Sequence, residues 1–137
     1  MFWKFVKRNP VKDLAAAQQH LIDRKFAKSA RLFRRHKAAV AADPRLSLAH
    51  ARAEMLMEND GRAWRLFRQA IDLAAERGEV QVHANALFHF SAFSLMTQRN
   101  AEAVSTAKQA RALFERINLL PEARAAARLA WTARETA

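Results

Sequence analysis

Three side chains able to hold a metal ion recur at one-turn spacing, His50, Glu54 and Glu58, each four residues from the next. On a helix that spacing stacks them on one face, where an imidazole and two carboxylates could ligate a zinc-class cation over two turns. A solvated polar stripe accounts for the same pattern, and the surrounding sequence offers no obvious partners to orient such ligands. No metal and no other cofactor is expected. His83 and His89 fall in an aromatic-rich stretch without an identifiable carboxylate partner, so neither reads as a general base. The chain has no cysteine, no phosphate-cradling glycine loop, no strained nucleophile turn and no His-Glu-x-x-His pair. These residues predict a binding protein rather than an enzyme.

Charge is the stronger chemical signal. The net charge is +11, and eleven of the 24 Lys and Arg but only two of the 13 acidic residues fall in the first forty positions. So lopsided a field attracts something acidic, whether nucleic acid, anionic lipid or an acidic protein surface. Its densest part is Lys25, Lys28, Arg31, Arg34 and Arg35, a basic helical face that could track phosphates. No aromatic side chains are interleaved there for base stacking and no recognised nucleic-acid motif accompanies them, so binding to nucleic acid would be largely nonspecific. At the N-terminus, Phe2, Trp3, Phe5 and Val6 alternate with Lys4, Lys7 and Arg8, the chemistry of an interfacial anchor for anionic lipid. The segment is short for stable anchoring, and covering the open end of a helical stack explains its aromatics equally well. We expect the covering role for this arm, residues 1–10. With no secretory core, no apolar run of about 18 residues and no cysteine, the predicted location is the cytoplasm.

The elements that must position these groups are helices. Hydrophobic residues make up 51% of the 137 positions, which is enough for one domain's core, and no stretch alternates in the manner of a strand. Asp43-Pro44, Asn59-Asp60-Gly61, Arg77-Gly78, Arg99-Asn100 and Asn118 to Pro121 are breaks. Between them we expect helices near 11–22, 25–42, 45–58, 62–77, 79–98, 101–117 and 122–135. In the second, Phe26, Ala30, Phe33, Lys37 and Val40 share a face opposite the basic residues. The fifth carries Leu87, Phe88, Phe90, Phe93 and Leu95 nearly all round and so needs contact on more than one side.

Self-comparison aligns Ala27 to Arg31, Phe67 to Ile71 and Ala107 to Arg111 at intervals of forty residues. A period of this size is the signature of stacked helical hairpins. With Ala63, Phe67 and Ala70 following a turn at Asp60-Gly61, and Leu73 to Gly78 ending the helix, the chain resembles the tetratricopeptide repeat family in its longer form. Two places depart from that pattern: the third hairpin has Ala103, Ala107 and Ala110, with no aromatic at the middle place, and His50, Ala51 and Glu54 stand where that family favours leucine, glycine and tyrosine. The first hairpin fits two registers, Asp23-Ala27-Ala30 or Phe26-Ser29-Phe33. The resemblance implies an all-α, right-handed superhelix of three αα-hairpins over residues 1–137, with residues 122–137 as a capping helix; a compact orthogonal bundle is the alternative.

The resemblance also implies that the first helix of each hairpin lines a concave groove, which would hold Arg45, Leu48, Arg52 and Met55, then Asn85, Phe88 and His89. Arginines would take a ligand carboxylate, Asn85 a peptide backbone and Phe88 an apolar anchor. The expected function is a protein-interaction adaptor for an acidic or amphipathic segment. Nonspecific nucleic-acid binding or peripheral membrane association are the alternatives, and a weak homodimer is expected from open stack ends. The register places Trp64, Phe67, Ala70, Leu87 and Phe90 between hairpins. Phe67→Ala should therefore cost about 3–5 kcal/mol in urea denaturation, and a loss under about 1 kcal/mol would contradict the register.

Overall fold

All three prolines stand in the first turn of a helix, where a missing N–H costs nothing: Pro10, Pro44 and Pro121. Before two of them, a side-chain carbonyl or carboxylate closes the helix start. Asn9 Oδ1 accepts from Lys12 N at 3.2 Å and Asp43 Oδ1 from Arg45 N at 2.9 Å. A computed structural model describes residues 9–137. Among these residues every regular element is an α-helix: α1 (Pro10–Ile22), α2 (Phe26–Arg35), α3 (Lys37–Ala41), α4 (Pro44–Leu56), α5 (Asp60–Glu76), α6 (Val80–Met96), α7 (Asn100–Arg116) and α8 (Leu120–Glu135). None is long and apolar enough to cross a membrane. The aromatic and basic arm from Phe2 to Arg8, with its expected covering role, lies outside the described residues.

One turn is used five times. Arg24, Glu58, Gly78, Gln98 and Asn118 have φ of 60–65°, and the following N–H reaches back to the helix just left. The closures are Lys25 to His20 at 2.8 Å, Asn59 to Glu54 at 2.9 Å, Glu79 to Ala74 at 3.0 Å, Arg99 to Ser94 at 2.8 Å and Leu119 to Phe114 at 2.9 Å. This is the Schellman closure, which consumes carbonyls left unpaired at a helix end. From Glu58 onward these left-handed residues fall every twenty positions, and α5, α6 and α7 are each 17 residues long. The forty-residue period in the sequence is thus two helix-turn units. Gly61, expected in a turn, lies instead in the first turn of α5.

The single helix expected over 25–42 is two. His36, at φ −118° and ψ 49°, separates α2 from α3, and its Nε2 lies 2.8 Å from Asp13 Oδ2 on α1. Lys37, expected on the buried stripe with Phe33 and Val40, is consequently exposed. The first hairpin follows the Phe26-Ser29-Phe33 register: Ser29 and Phe33 are buried, Phe26 is half-buried and Ala27 is exposed.

Helices pair in sequence, α1 with α2, α4 with α5 and α6 with α7, while α8 packs on α7. The first members also touch in order, α1 with α4, α4 with α6 and α6 with α8, whereas α2, α5 and α7 make no comparable contact with one another. Small residues permit the close approach: Ala63, Ala70, Ala103, Ala107 and Ala110 are completely buried, and the buried Phe67 ring packs on Phe90 and Phe93 of α6. Buried serines approach backbone directly, Ser29 Oγ donating to Ala17 O at 2.8 Å and Ser91 Oγ to Ala103 O at 2.6 Å. Helix α6 touches α4, α5, α7 and α8, as its apolar circumference requires. Two cores result. The larger joins α4 to α8 around Phe67, Phe90 and Phe93, and the smaller joins α1, α2 and α3 around Leu14, Phe33 and Val40. Trp64, expected to be buried, is only half-buried, its ring beside Arg68 and Arg99 at 5.8 and 5.7 Å.

The repeated left-handed turn gives a paired test. Gly78→Ala should destabilise the protein by about 1 kcal/mol, because a Cβ disfavours φ of +65°, while Gln98→Gly should stabilise it by a similar amount. Thermal denaturation of both variants reads the two signs.

Candidate functional site

The densest polar constellation is built on a carboxylate that is completely buried. Glu54 lies near the end of α4, among Pro44, Ser47, His50 and Ala51 on that helix's buried side. Its Oε1 accepts from Arg34 Nη2 at 2.6 Å and Asn59 Nδ2 at 2.8 Å. Its Oε2 accepts from Arg34 Nε at 2.8 Å and His50 Nε2 at 2.8 Å, with Arg62 Nη1 3.5 Å away. The two Arg34 bonds form a fork across one carboxylate, the strongest geometry available to this pair. Side chains from α2, α4, α5 and the turn before α5 therefore meet on a single acid.

Burial alone would push the Glu54 carboxyl up, but hydrogen bonds from Arg34, Asn59 and His50 outweigh it and hold the acid down at about 2. His50 moves down because burial disfavours its charged form more than the neighbouring Glu54 favours it. The neutral ring donates through Nε2 and stacks on Phe33 at 5.3 Å. This arrangement leaves no metal face. Both Glu54 oxygens are occupied by donors, and Glu58 is exposed at the left-handed turn. Among the described residues, no group of three His, Cys, Asp or Glu side chains could hold a metal ion.

Of the predicted basic face, Lys25 at the N-cap of α2 and Lys28, Arg31 and Arg35 on that helix are exposed. Arg34 does not belong with them, since its guanidinium is committed to Glu54. Of the predicted groove, Arg45 reaches across to Glu79 Oε2 at 3.6 Å. Arg52 on α4 and Asn85, Phe88 and His89 on α6 are half-buried, and the two helices are in contact. Burial, reinforced by the positive charge of Arg52, pushes His89 down to about 4, so its ring is neutral near pH 7. Phe88 meets His89 edge-on at 5.7 Å and packs partly on the larger core. The structure thus brings Arg52, Phe88 and His89 together, with Asn85 one turn from His89, and leaves Arg45 in its ion pair.

A further feature was not expected from the sequence. Between the first and second hairpins lies a cleft of about 420 Å³ bordered by Arg34, Lys37, His50, Arg62, Arg65 and Gln69, with Val40, Ala41 and Leu66 as its apolar side. Arg62 and Arg65, one turn apart at the start of α5, were the available signal, masked by the aromatic residues between and after them. No family model, curated protein or solved structure matches this chain.

Removing the central acid leaves Arg34 and its neighbours without an acceptor, so Glu54→Ala should destabilise by about 3–5 kcal/mol. At Glu54 and His89 the folded state binds fewer protons than the unfolded chain, so stability falls as pH drops. The window is 6.5 down to about 4 for His89 and 4.5 down to about 2 for Glu54. Urea midpoints between pH 7 and 2.5 should show this slope, with its lower part flattened in Glu54→Gln.

Proposed function

We propose that this chain is a non-enzymatic interaction module of the cytoplasm, a tetratricopeptide-like, right-handed stack of three hairpins closed by α8, that captures an acidic or amphipathic segment of a partner protein. The observation that supports this reading most is the meeting of Arg52 on α4 with Phe88 and His89 on α6, half-buried across two hairpins. Among the described residues Arg52 has no carboxylate partner within ion-pair distance. It is free to take a partner's carboxylate through a charge-assisted bond. Phe88 offers an apolar anchor beside it, and the Asn85 amide both donates and accepts toward a peptide backbone. Neutral His89 adds a hydrogen-bonding group.

Nucleic-acid binding is the second reading, favoured by the exposed cations Lys25, Lys28, Arg31 and Arg35 at the start of and along α2. The commitment of Arg34 to Glu54 thins that face, and excess charge alone yields nonspecific affinity for phosphates.

Affinity capture from the native cell separates the two. Arg52→Glu and Phe88→Ala should each abolish recovery of a specific partner protein, with shallow salt dependence, while Arg31→Glu with Arg35→Glu leaves that recovery intact. Loss of the partner only in the α2 double variant, or steep log-linear salt dependence of its binding, would transfer the site to the first hairpin.

A further inference from the structure

We infer that the cleft between the first and second hairpins is a binding site for a small organic phosphate, a phosphomonoester carrying an apolar body. It is separate from the α4 and α6 surface assigned to partner capture. Four cationic side chains from three helices border it: Arg34 of α2, Lys37 of α3, and Arg62 and Arg65 of α5. The one acid facing them, Glu54, is already spent on Arg34, His50 and Asn59. Lys37 and Arg65 have no carboxylate within ion-pair distance among the described residues. Gathering like charges around a concavity raises the local potential and draws in an anion.

The charge count selects among anions. Four cations against one carboxylate leave an excess of three positive charges, of which a phosphomonoester, with about −1.5 to −2 at neutral pH and three acceptor oxygens, neutralises more than a monoanionic carboxylate does. The donors are pre-positioned. Glu54 takes two of the five N–H groups of Arg34, which fixes the guanidinium plane and leaves the other three for a ligand. Gln69 is held in the same way: its Nε2 donates to Ser47 Oγ at 2.9 Å, and Ser47 Oγ donates to Val40 O at 2.6 Å. The Gln69 carbonyl oxygen is thereby left to accept from a ligand hydroxyl.

Shape supports a small molecule with an apolar part. The volume of about 420 Å³ exceeds what a bare anion fills and lies in the range of about 300–1,000 Å³ typical of ligand pockets. Val40, Ala41 and Leu66 supply an apolar wall beside the cations. The space exists because α2 and α5 both pack on α4 but not appreciably on each other, and because the break at His36 turns Lys37 away from the buried stripe.

Calorimetric titration of the full chain at fixed ionic strength tests the site, with phenyl phosphate, inorganic phosphate, benzoate and a phosphotyrosine peptide as probes. Phenyl phosphate should bind saturably at one site, at least about tenfold more tightly than inorganic phosphate or benzoate. Lys37→Glu and Arg65→Glu, neither of which touches Glu54, should each weaken it by about tenfold or more. Arg128→Glu, the same charge change on α8, should leave it unaltered. The inference is overturned if phenyl phosphate does not saturate, if benzoate binds as well, or if Arg128→Glu weakens binding as much as the cleft variants. A phosphotyrosine peptide binding more tightly than phenyl phosphate would overturn it too, by giving the cleft to a partner protein.

Discussion

A carboxylate with no exposure must be compensated where it sits, and Glu54 is compensated by groups drawn from both sides of a seam. Apolar packing divides the molecule into a small core under α1, α2 and α3 and a larger one running from α4 to α8. Contacts from Leu46 and Ala49 reach into the smaller core, and the directional links between the two are the fork from Arg34 to Glu54, the hydrogen bond from Ser47 Oγ to Val40 O and the stacking of Phe33 on His50. A hydrogen-bonded charge pair constrains geometry tightly and tolerates no partial satisfaction, which fixes how the first hairpin sits on the second. The same seam is not filled by side chains, and the basic cleft is what remains open there.

Beyond the seam the architecture is governed by repetition. A Schellman turn closes every helix of the second and third hairpins, and from Glu58 onward these turns recur every twenty residues, so that α5, α6 and α7 have equal lengths. Four of the five left-handed positions hold Arg, Glu, Gln or Asn rather than glycine. The turn is therefore imposed by the packing of alanine faces on either side of it, at some cost in backbone strain. Contact of α4 with α6 brings the charge of Arg52 to bear on His89, 37 positions further along the chain.

Much of this was legible in the sequence. Alanine and phenylalanine at helical spacing located Ala63, Phe67 and Ala70, and Pro44 and Pro121 located the starts of α4 and α8. What failed had no local signal. His36 interrupts a helix with neither glycine nor proline nearby, held by an aspartate 23 residues earlier. Glu54 was visible as a chemical group, yet its spacing from His50 suggested a ligand set, because the residue that decides its role, Arg34, lies twenty positions away on another helix. Arg34 in turn reads as one more surface cation. Charge patterns along a helix report exposure well and long-range pairing not at all.

Glu54 is the joint between the first hairpin and the rest, and native-state hydrogen exchange on Glu54→Gln addresses that joint directly. Local opening should be confined to the side of the seam with the smaller core. Amides of α1, α2 and α3 should lose protection together while those of α6, α7 and α8 keep wild-type values. Uniform loss across all helices, or unchanged protection in the first hairpin, would contradict that role.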